Sequence, residues 1–243
     1  MQRYFRDFDI NQNTIIIDGD DFHHIKNVMR SKVNSELVLC DLSGNCCLAS
    51  IQSFNEKSLI CECKKLLPSD NNKFTIDIAQ AIIRRERFEY MLQKSTELGV
   101  NKIIPVNMKN CIVKLDGKKE EKKIQRWNTI TKEASEQSHR NKLAIVSNMT
   151  TLKSIDYNVY DVILVCYEKE NESNKLKSIV QSNKYNKILI VVGPEGGFDQ
   201  SEVEYLSTLS NSEFVGLGKR ILRSETASSY ILSVLFYEYE MSD

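Results

Sequence analysis

The sequence predicts an α/β protein in two parts: a small β-rich barrel over residues 1–70, then a mostly parallel sheet covered by helices over residues 73–243. Three observations carry that prediction. The first seventy or so residues read as short apolar strands bounded by turn residues. The polar segment Pro68–Lys73 then interrupts the pattern and marks a boundary. Beyond it, apolar runs alternate with amphipathic segments, the texture of parallel strands joined by helical crossovers.

In the first part the strands are "NTIIID", "ELVLCDL", "CCLASIQSF" and "SLICECKKL", with a helical turn in "DDFHHIKNVMR" and a hairpin turn at Ser43-Gly44-Asn45. In the second they are "TIDIAQAII", "KIIPV", "DVILVCY", "KILIVV" and "EFVGL". The helix "RFEYMLQKSTELG" puts Phe88, Met91, Leu92 and Leu98 on one face and stops at Gly99. A helix over Glu120–Arg140 buries Ile124, Trp127, Thr131 and Ala134 and carries Glu133, Gln137 and Arg140 in an adjacent row. Such a row either lines a cleft or is simply solvated. Asp199 caps the next helix and Glu202, three residues on, completes a capping box worth about 1 kcal/mol. The last helix starts near Ser224–Thr226 and buries Ala227, Ile231, Val234 and Leu235.

Composition narrows the function classes. With 243 residues and 41% hydrophobic content the chain can bury one large core or two smaller ones. The 33 basic residues balance 33 acidic ones, so any nucleic-acid contact must come from local clusters. No apolar run approaches the roughly 18 residues of a membrane span, and "MQRYFRDFDI" lacks a signal-peptide core, so a cytosolic location is expected. Seven cysteines and three histidines show no Cys-x-x-Cys pair. Neither a disulfide framework nor a metal site is expected; the cysteines read as small core residues in a reducing compartment.

Five of the nine glycines fall between Gly193 and Gly218, at the carboxyl ends of two successive strands. Ligands bind at that place in open α/β sheets. "VVGPEGGF" is not a nucleotide-triphosphate loop, because Gly-Lys-Ser/Thr is missing and Glu195 would repel phosphate. Nor is it a dinucleotide site, since "IAQAIIRRERF" after the first strand contains no glycine. The second cluster places Lys219, Arg220 and Arg223 beside Glu225, Thr226 and Ser228, dense polar chemistry for a chain turn.

Together, "VVGPEGGFDQSEV" and "LGKRILRSETA" resemble the RsmE family of small-subunit ribosomal RNA uridine methyltransferases, members of the knotted SPOUT superfamily. The resemblance extends to "RYF" (Arg3–Phe5), "HHIKNVMRSKV" (His23–Val33), "LQKSTELGVNKIIPV" (Leu92–Val106) and "KEASEQSHR" (Lys132–Arg140). It implies a PUA-like RNA-binding domain, a C-terminal trefoil-knot α/β methyltransferase domain, S-adenosyl-L-methionine as cofactor and a homodimer. The implied reaction is methylation of ring nitrogen 3 of one uridine of 16S rRNA in the small ribosomal subunit. The same fold could instead serve tRNA or 23S rRNA, or a non-catalytic protein of ribosome assembly. Three positions depart from the family pattern: Asn34 stands where glycine is usual, Asn110 lies where many members carry arginine, a contact that Lys109 or Lys114 would then supply, and Lys219 stands where other residues are common, a change expected to be neutral.

The implied roles fall on matching residues. Glu168, Gly193, Pro194, Glu195, Gly196, Gly197, Leu217, Gly218, Ile221 and Leu222 are expected around the cofactor. Arg223 is expected to contact the uracil carbonyls and Glu225 to take the proton of nitrogen 3, or else merely to favour its helix N-terminus. A carbon-5 reaction would need a nucleophilic cysteine, and Cys111 and Cys166 lie in apolar surroundings. RNA contacts are expected from Arg3, Arg6, His24, Lys26, Arg30, Arg140 and Arg220, with Lys32 beside them.

Overall fold

A computed structural model describes residues 1–69, 73–113, 117–170, 175–182 and 184–240, so Lys114 and residues 70–72 of the expected boundary segment lie outside the described residues. By contacts the chain divides into two units, Met1–Asn71 with Ser135–Leu143, and Asn72–Ala134 with Ala144–Asp243. The return of residues 135–143 to the first unit differs from the simple division expected near residue 71. That return joins segments far apart in sequence, so patterning along the chain carries no trace of it.

The first unit is a five-stranded sheet of β1 (Arg3–Phe5), β2 (Thr14–Asp18), β3 (Glu36–Cys40), β4 (Cys46–Phe54) and β5 (Ser58–Leu66), in the order β1-β3-β4-β5-β2. Only β1 and β3 pair in parallel. Alternation sets its core: in β2, Ile15 and Ile17 are buried while Thr14, Ile16 and Asp18 are exposed. The buried pair meets Tyr4, Leu39, Ile51 and Leu59. Between β2 and β3 lie α1 (Gly19–His23) and one π-helical turn, His24–Val28. Asn34 takes φ +68°, the left-handed geometry for which its side chain is better suited than most.

The expectation of seven unpaired cysteines needs one correction. Cys40 and Cys46 form a disulfide, six residues apart in sequence and directly opposite each other in the β3–β4 ladder. Hairpin register, not sequence spacing, brings them together. Cys47, Cys61, Cys63, Cys111 and Cys166 are free thiols.

The second unit holds a six-stranded sheet of β6 (Thr75–Ala81), β7 (Lys102–Val106), β8 (Ile145–Val146), β9 (Val162–Cys166), β10 (Lys187–Val192) and β11 (Ser212–Val215). Its order is β11-β9-β10-β6-β7-β8, and every pairing is parallel. Five of these strands are the expected ones; β8, two residues long, is too short for any periodicity to announce. The central strand β10 is buried from Ile188 to Val192, the continuous apolar run of a sheet covered on both faces. Helices α2 (Arg85–Glu97), α3 (Gly117–Gln137), α4 (Lys175–Ser182), α5 (Gln200–Ser207) and α6 (Ser224–Glu240) accompany it. Helix α2 buries Phe88, Met91 and Leu92, and the Phe88 ring packs 4.4 Å from that of Trp127 on α3. Burying each such side chain contributes about 1.5–3 kcal/mol. Because β9, β10 and β11 run in parallel, their carboxyl ends open at the same edge of the sheet.

Candidate functional site

At that edge lies a cleft of about 570 Å³, within the range of roughly 300–1,000 Å³ that small-molecule sites span. Tyr167, Glu168 and Glu170 line it after β9, Gly193 to Phe198 after β10, and Gly216 to Arg223 after β11. All ten residues expected around a cofactor are among its lining residues. Ile221 is the outlier in character: it is 85% exposed and sits on the rim rather than in the wall.

Two sets of hydrogen bonds hold these loops in place. Within the apolar core, Gln80 on β6 donates through Nε2 to Ser224 Oγ (2.8 Å), and Ser224 Oγ donates to the carbonyl of Gly193 (2.7 Å). Ser228 Oγ donates to Gln80 Oε1 (2.6 Å). Gln80 and Ser228 are fully buried, and the network ties the start of α6 to the first glycine of the β10 loop. At the other end of that loop, Asp199 caps α5 and Glu202 completes the expected capping box. The residues after β7 join it: Glu202 Oε1 accepts from the Lys109 amide (2.8 Å) and Lys109 Nζ donates to Asp199 Oδ1 (2.8 Å). The Lys109 ammonium and two Ser201 hydrogen bonds hold the Asp199 carboxyl down at about 2. Asn110 Nδ2 donates to the carbonyl of Gly197 (3.1 Å). Gly197 itself has φ +72°, and a β-carbon there would stand 2.9 Å from Glu168 Oε1.

The charged groups of the cleft sort by exposure. Lys219, Arg220 and Arg223 are exposed on the loop after β11. Glu225, the second residue of α6, is 8% exposed and Glu195 is half-buried. Between them stands Arg87 of α2, with Nη1 3.6 Å from Glu195 Oε1 and Nε 3.8 Å from Glu225 Oε1. Sequence inspection missed Arg87, because "RRERF" presents it as one more cation on an amphipathic helix. Cys166 reaches the cleft, but burial pushes its thiol up to about 12, and burial also raises Cys111. A thiolate nucleophile is thus disfavoured at neutral pH.

The residues expected to meet RNA fare unevenly. Arg6 pairs with Asp18 and Asp21, and Arg3 Nη1 donates to the carbonyl of Arg140 (2.7 Å) and to Asn141 Oδ1. These two arginines fasten the first unit together. His24 Nδ1 lies 2.9 Å from the Tyr4 hydroxyl, which fixes its ring. Lys26, Arg30 and Lys32 are exposed, beside exposed Val28, Met29 and Val33. Glu133 does not line the cleft, and α3 ends at Gln137, so Arg140 lies beyond the helix expected to carry it in a row with Glu133 and Gln137. Among the described residues no cluster of metal-ligating side chains is found, and no helix is long and apolar enough to cross a membrane.

Comparison with known proteins matches this architecture. A family model described as an RNA methyltransferase domain matches residues 70–236, and one described as an RNA methyltransferase PUA domain matches residues 17–63. Ribosomal RNA small subunit methyltransferase E of Bacillus subtilis is 36% identical over 253 aligned positions, covering 99% of this chain and 98% of the relative. The protein of that name from Mesomycoplasma hyopneumoniae is 32% identical, over 96% of this chain and 98% of its own. Among solved structures, the Neisseria gonorrhoeae ribosomal RNA small subunit methyltransferase E bound to S-adenosyl methionine superposes with a TM-score of 0.84. It is 28% identical and covers 98% of both chains. A Legionella pneumophila methyltransferase solved with the same cofactor also gives 0.84, at 26% identity and 96% coverage of both chains.

Proposed function

The chain belongs to the ribosomal RNA small subunit methyltransferase E family, and from that premise we propose how its residues divide the work of methylating nitrogen 3 of a uridine in 16S rRNA. It is an S-adenosylmethionine-dependent RNA methyltransferase of the α/β-knot class. The observation that carries the proposal is the single cleft built from both glycine loops, tied together by the Ser224–Gly193 hydrogen bond.

The residues present fit that cofactor. Its flat and extended parts need close backbone approach, which Gly193, Gly196, Gly197 and Gly218 allow, with Pro194, Leu217 and Leu222 as apolar walls. Unpartnered carboxylate oxygens in the cleft wall suit a cation and disfavour a phosphate. When bound, S-adenosylmethionine supplies an electrophilic methyl carbon on a sulfonium and departs as the neutral thioether. Arg223, exposed on the loop after β11, holds the uracil carbonyls and stabilises charge spread over the ring as nitrogen 3 loses its proton, a role its exposure supports. Glu225 takes that proton. Orientation of the base against the methyl carbon is the remaining contribution of the cleft, since in-line displacement demands alignment more than any further group.

Lys26, Arg30 and Lys32 of the first unit, with Arg220 at the cleft rim, supply phosphate contacts, while Arg3, Arg6, His24 and Arg140 shape the surface that carries them. The working form is a cytoplasmic homodimer that acts on the small ribosomal subunit. The test is mass mapping of 16S rRNA from cells with and without the protein, followed by addition of purified enzyme and cofactor to the unmodified subunits. One methyluridine should disappear from the deletion strain and return in vitro. An unchanged 16S modification pattern would refute the substrate assignment, and a methyl mark missing from tRNA or 23S rRNA would replace it.

A further inference from the structure

One arginine stands between two carboxylates in the cleft, and each carboxylate keeps one oxygen with nothing to bind. Glu195 Oε1 faces Arg87 Nη1 at 3.6 Å and accepts a 3.4 Å contact from the Arg84 amide, and Glu225 Oε1 faces Arg87 Nε at 3.8 Å. The second oxygen of each, Glu195 Oε2 and Glu225 Oε2, is buried without a hydrogen-bond partner. Buried polar atoms are rarely left so, and in a ligand site the missing partner is most simply the ligand. The trio also carries an excess of one negative charge, in the most buried ionic part of the cleft. The cations Lys219, Arg220 and Arg223, and the acid Glu168, are exposed, where water and salt screen them.

We propose that Glu195, Arg87 and Glu225 form a net-negative seat that tells the cationic methyl donor from its neutral thioether product. The inference rests on the methyltransferase reading above. The two compounds share their adenosine, α-amino and carboxylate groups and differ by one methyl and by the charge on sulfur. A seat one charge negative favours the sulfonium and loses its hold when the methyl group departs. That preference would drive release of the product, a role distinct from the proton transfer assigned to Glu225. Arg87 is the positioning residue of the trio: it holds both carboxylates toward one place and limits the excess charge to one.

Calorimetric titration of the full chain with S-adenosylmethionine and S-adenosylhomocysteine tests the proposal. The wild type should bind the sulfonium more tightly than the thioether. Glu195→Gln, which preserves shape and removes charge, should weaken sulfonium binding about tenfold and leave thioether binding within about twofold. Glu225→Gln should do the same, so either variant suffices if the other fails to fold. Equal losses for both compounds, or no loss for either, overturn the proposal. A wild type that binds neither compound sinks the methyl-donor assignment itself, so the two failures are distinguishable.

Discussion

Ser224→Ala is the most informative single substitution in the network that holds the cleft loops. The hydroxyl receives the Gln80 amide at 2.8 Å and gives its proton to the Gly193 carbonyl at 2.7 Å, all in the buried interior. Its loss strands the carbonyl and weakens the satisfaction of Gln80 Nε2, which keeps only the Ala81 carbonyl at 3.1 Å. An orphaned buried polar group costs about 1–3 kcal/mol, so the expected destabilisation is about 2–3 kcal/mol. With a urea slope of about 2 kcal/mol/M, the midpoint should fall by about 1–1.5 M. The chain's single tryptophan, Trp127, packs on Phe88 in the same unit and reports the transition by fluorescence. S-adenosylmethionine affinity should fall with it, because Gly193 lines the cleft. The triple replacement Gln80→Leu, Ser224→Ala, Ser228→Ala should recover part of the stability, since removing all partners together leaves fewer stranded groups. A midpoint shift under about 0.3 M for Ser224→Ala, with unchanged affinity, would refute the claim that this network fixes the loop.

Three further outcomes follow from the same geometry. Gly216→Ala would set a β-carbon 2.6 Å from the backbone oxygen of Glu170, which cannot swing aside as a side chain would; cofactor affinity by calorimetry should drop at least tenfold (~1.4 kcal/mol). Asn110→Asp replaces the donor that meets the Gly196 and Gly197 carbonyls with an acceptor, so the Michaelis constant for S-adenosylmethionine should rise several-fold while the urea midpoint moves little. Hydrogen bonds from Arg126 and then Arg85 hold the Glu89 carboxyl down at about 2. A depressed folded-state value means that its contribution is whole above the unfolded carboxylate range near pH 4.5 and is lost as pH falls toward 2. Glu89→Gln should therefore lower the melting temperature at pH 6 and converge with the wild type near pH 2.

The parts of the fold that sequence disclosed are those written in local pattern. Strands such as "KILIVV" announce themselves by unbroken apolar runs, and α5 by Asp199 and Glu202 three residues apart. What stayed hidden is non-local. Gln80 sits in an apolar strand run and looks like an imperfection; only the packing of α6 against β6 and β10 reveals its two serine partners. Cys40 and Cys46 become a pair only when the hairpin register places them opposite each other. Arg87 lies more than a hundred residues before both of the carboxylates it bridges, and no spacing rule links them.

The departure at Asn110 shows how far a resemblance can be carried residue by residue. If arginine at this place provides a free cation in relatives, the compensating cation expected in this chain was Lys109 or Lys114, and Lys114 lies outside the described residues. Lys109 does not fill the role: its ammonium is engaged by Asp199 and by Ser201, and its amide by Glu202. Asn110 in turn uses its own amide on the glycine loop. Both residues therefore brace the loop after β10 and the start of α5. The exposed cations left on the cleft are Lys219, Arg220 and Arg223, all on the loop after β11. At the cleft itself these three are the cations open to a substrate, beside the proposed contacts of Lys26, Arg30 and Lys32 in the first unit, so RNA affinity should be more sensitive to neutralising Arg220 than to neutralising Lys109. Equal losses in a filter-binding titration across salt concentrations would show instead that Lys109 leaves its carboxylate when RNA arrives.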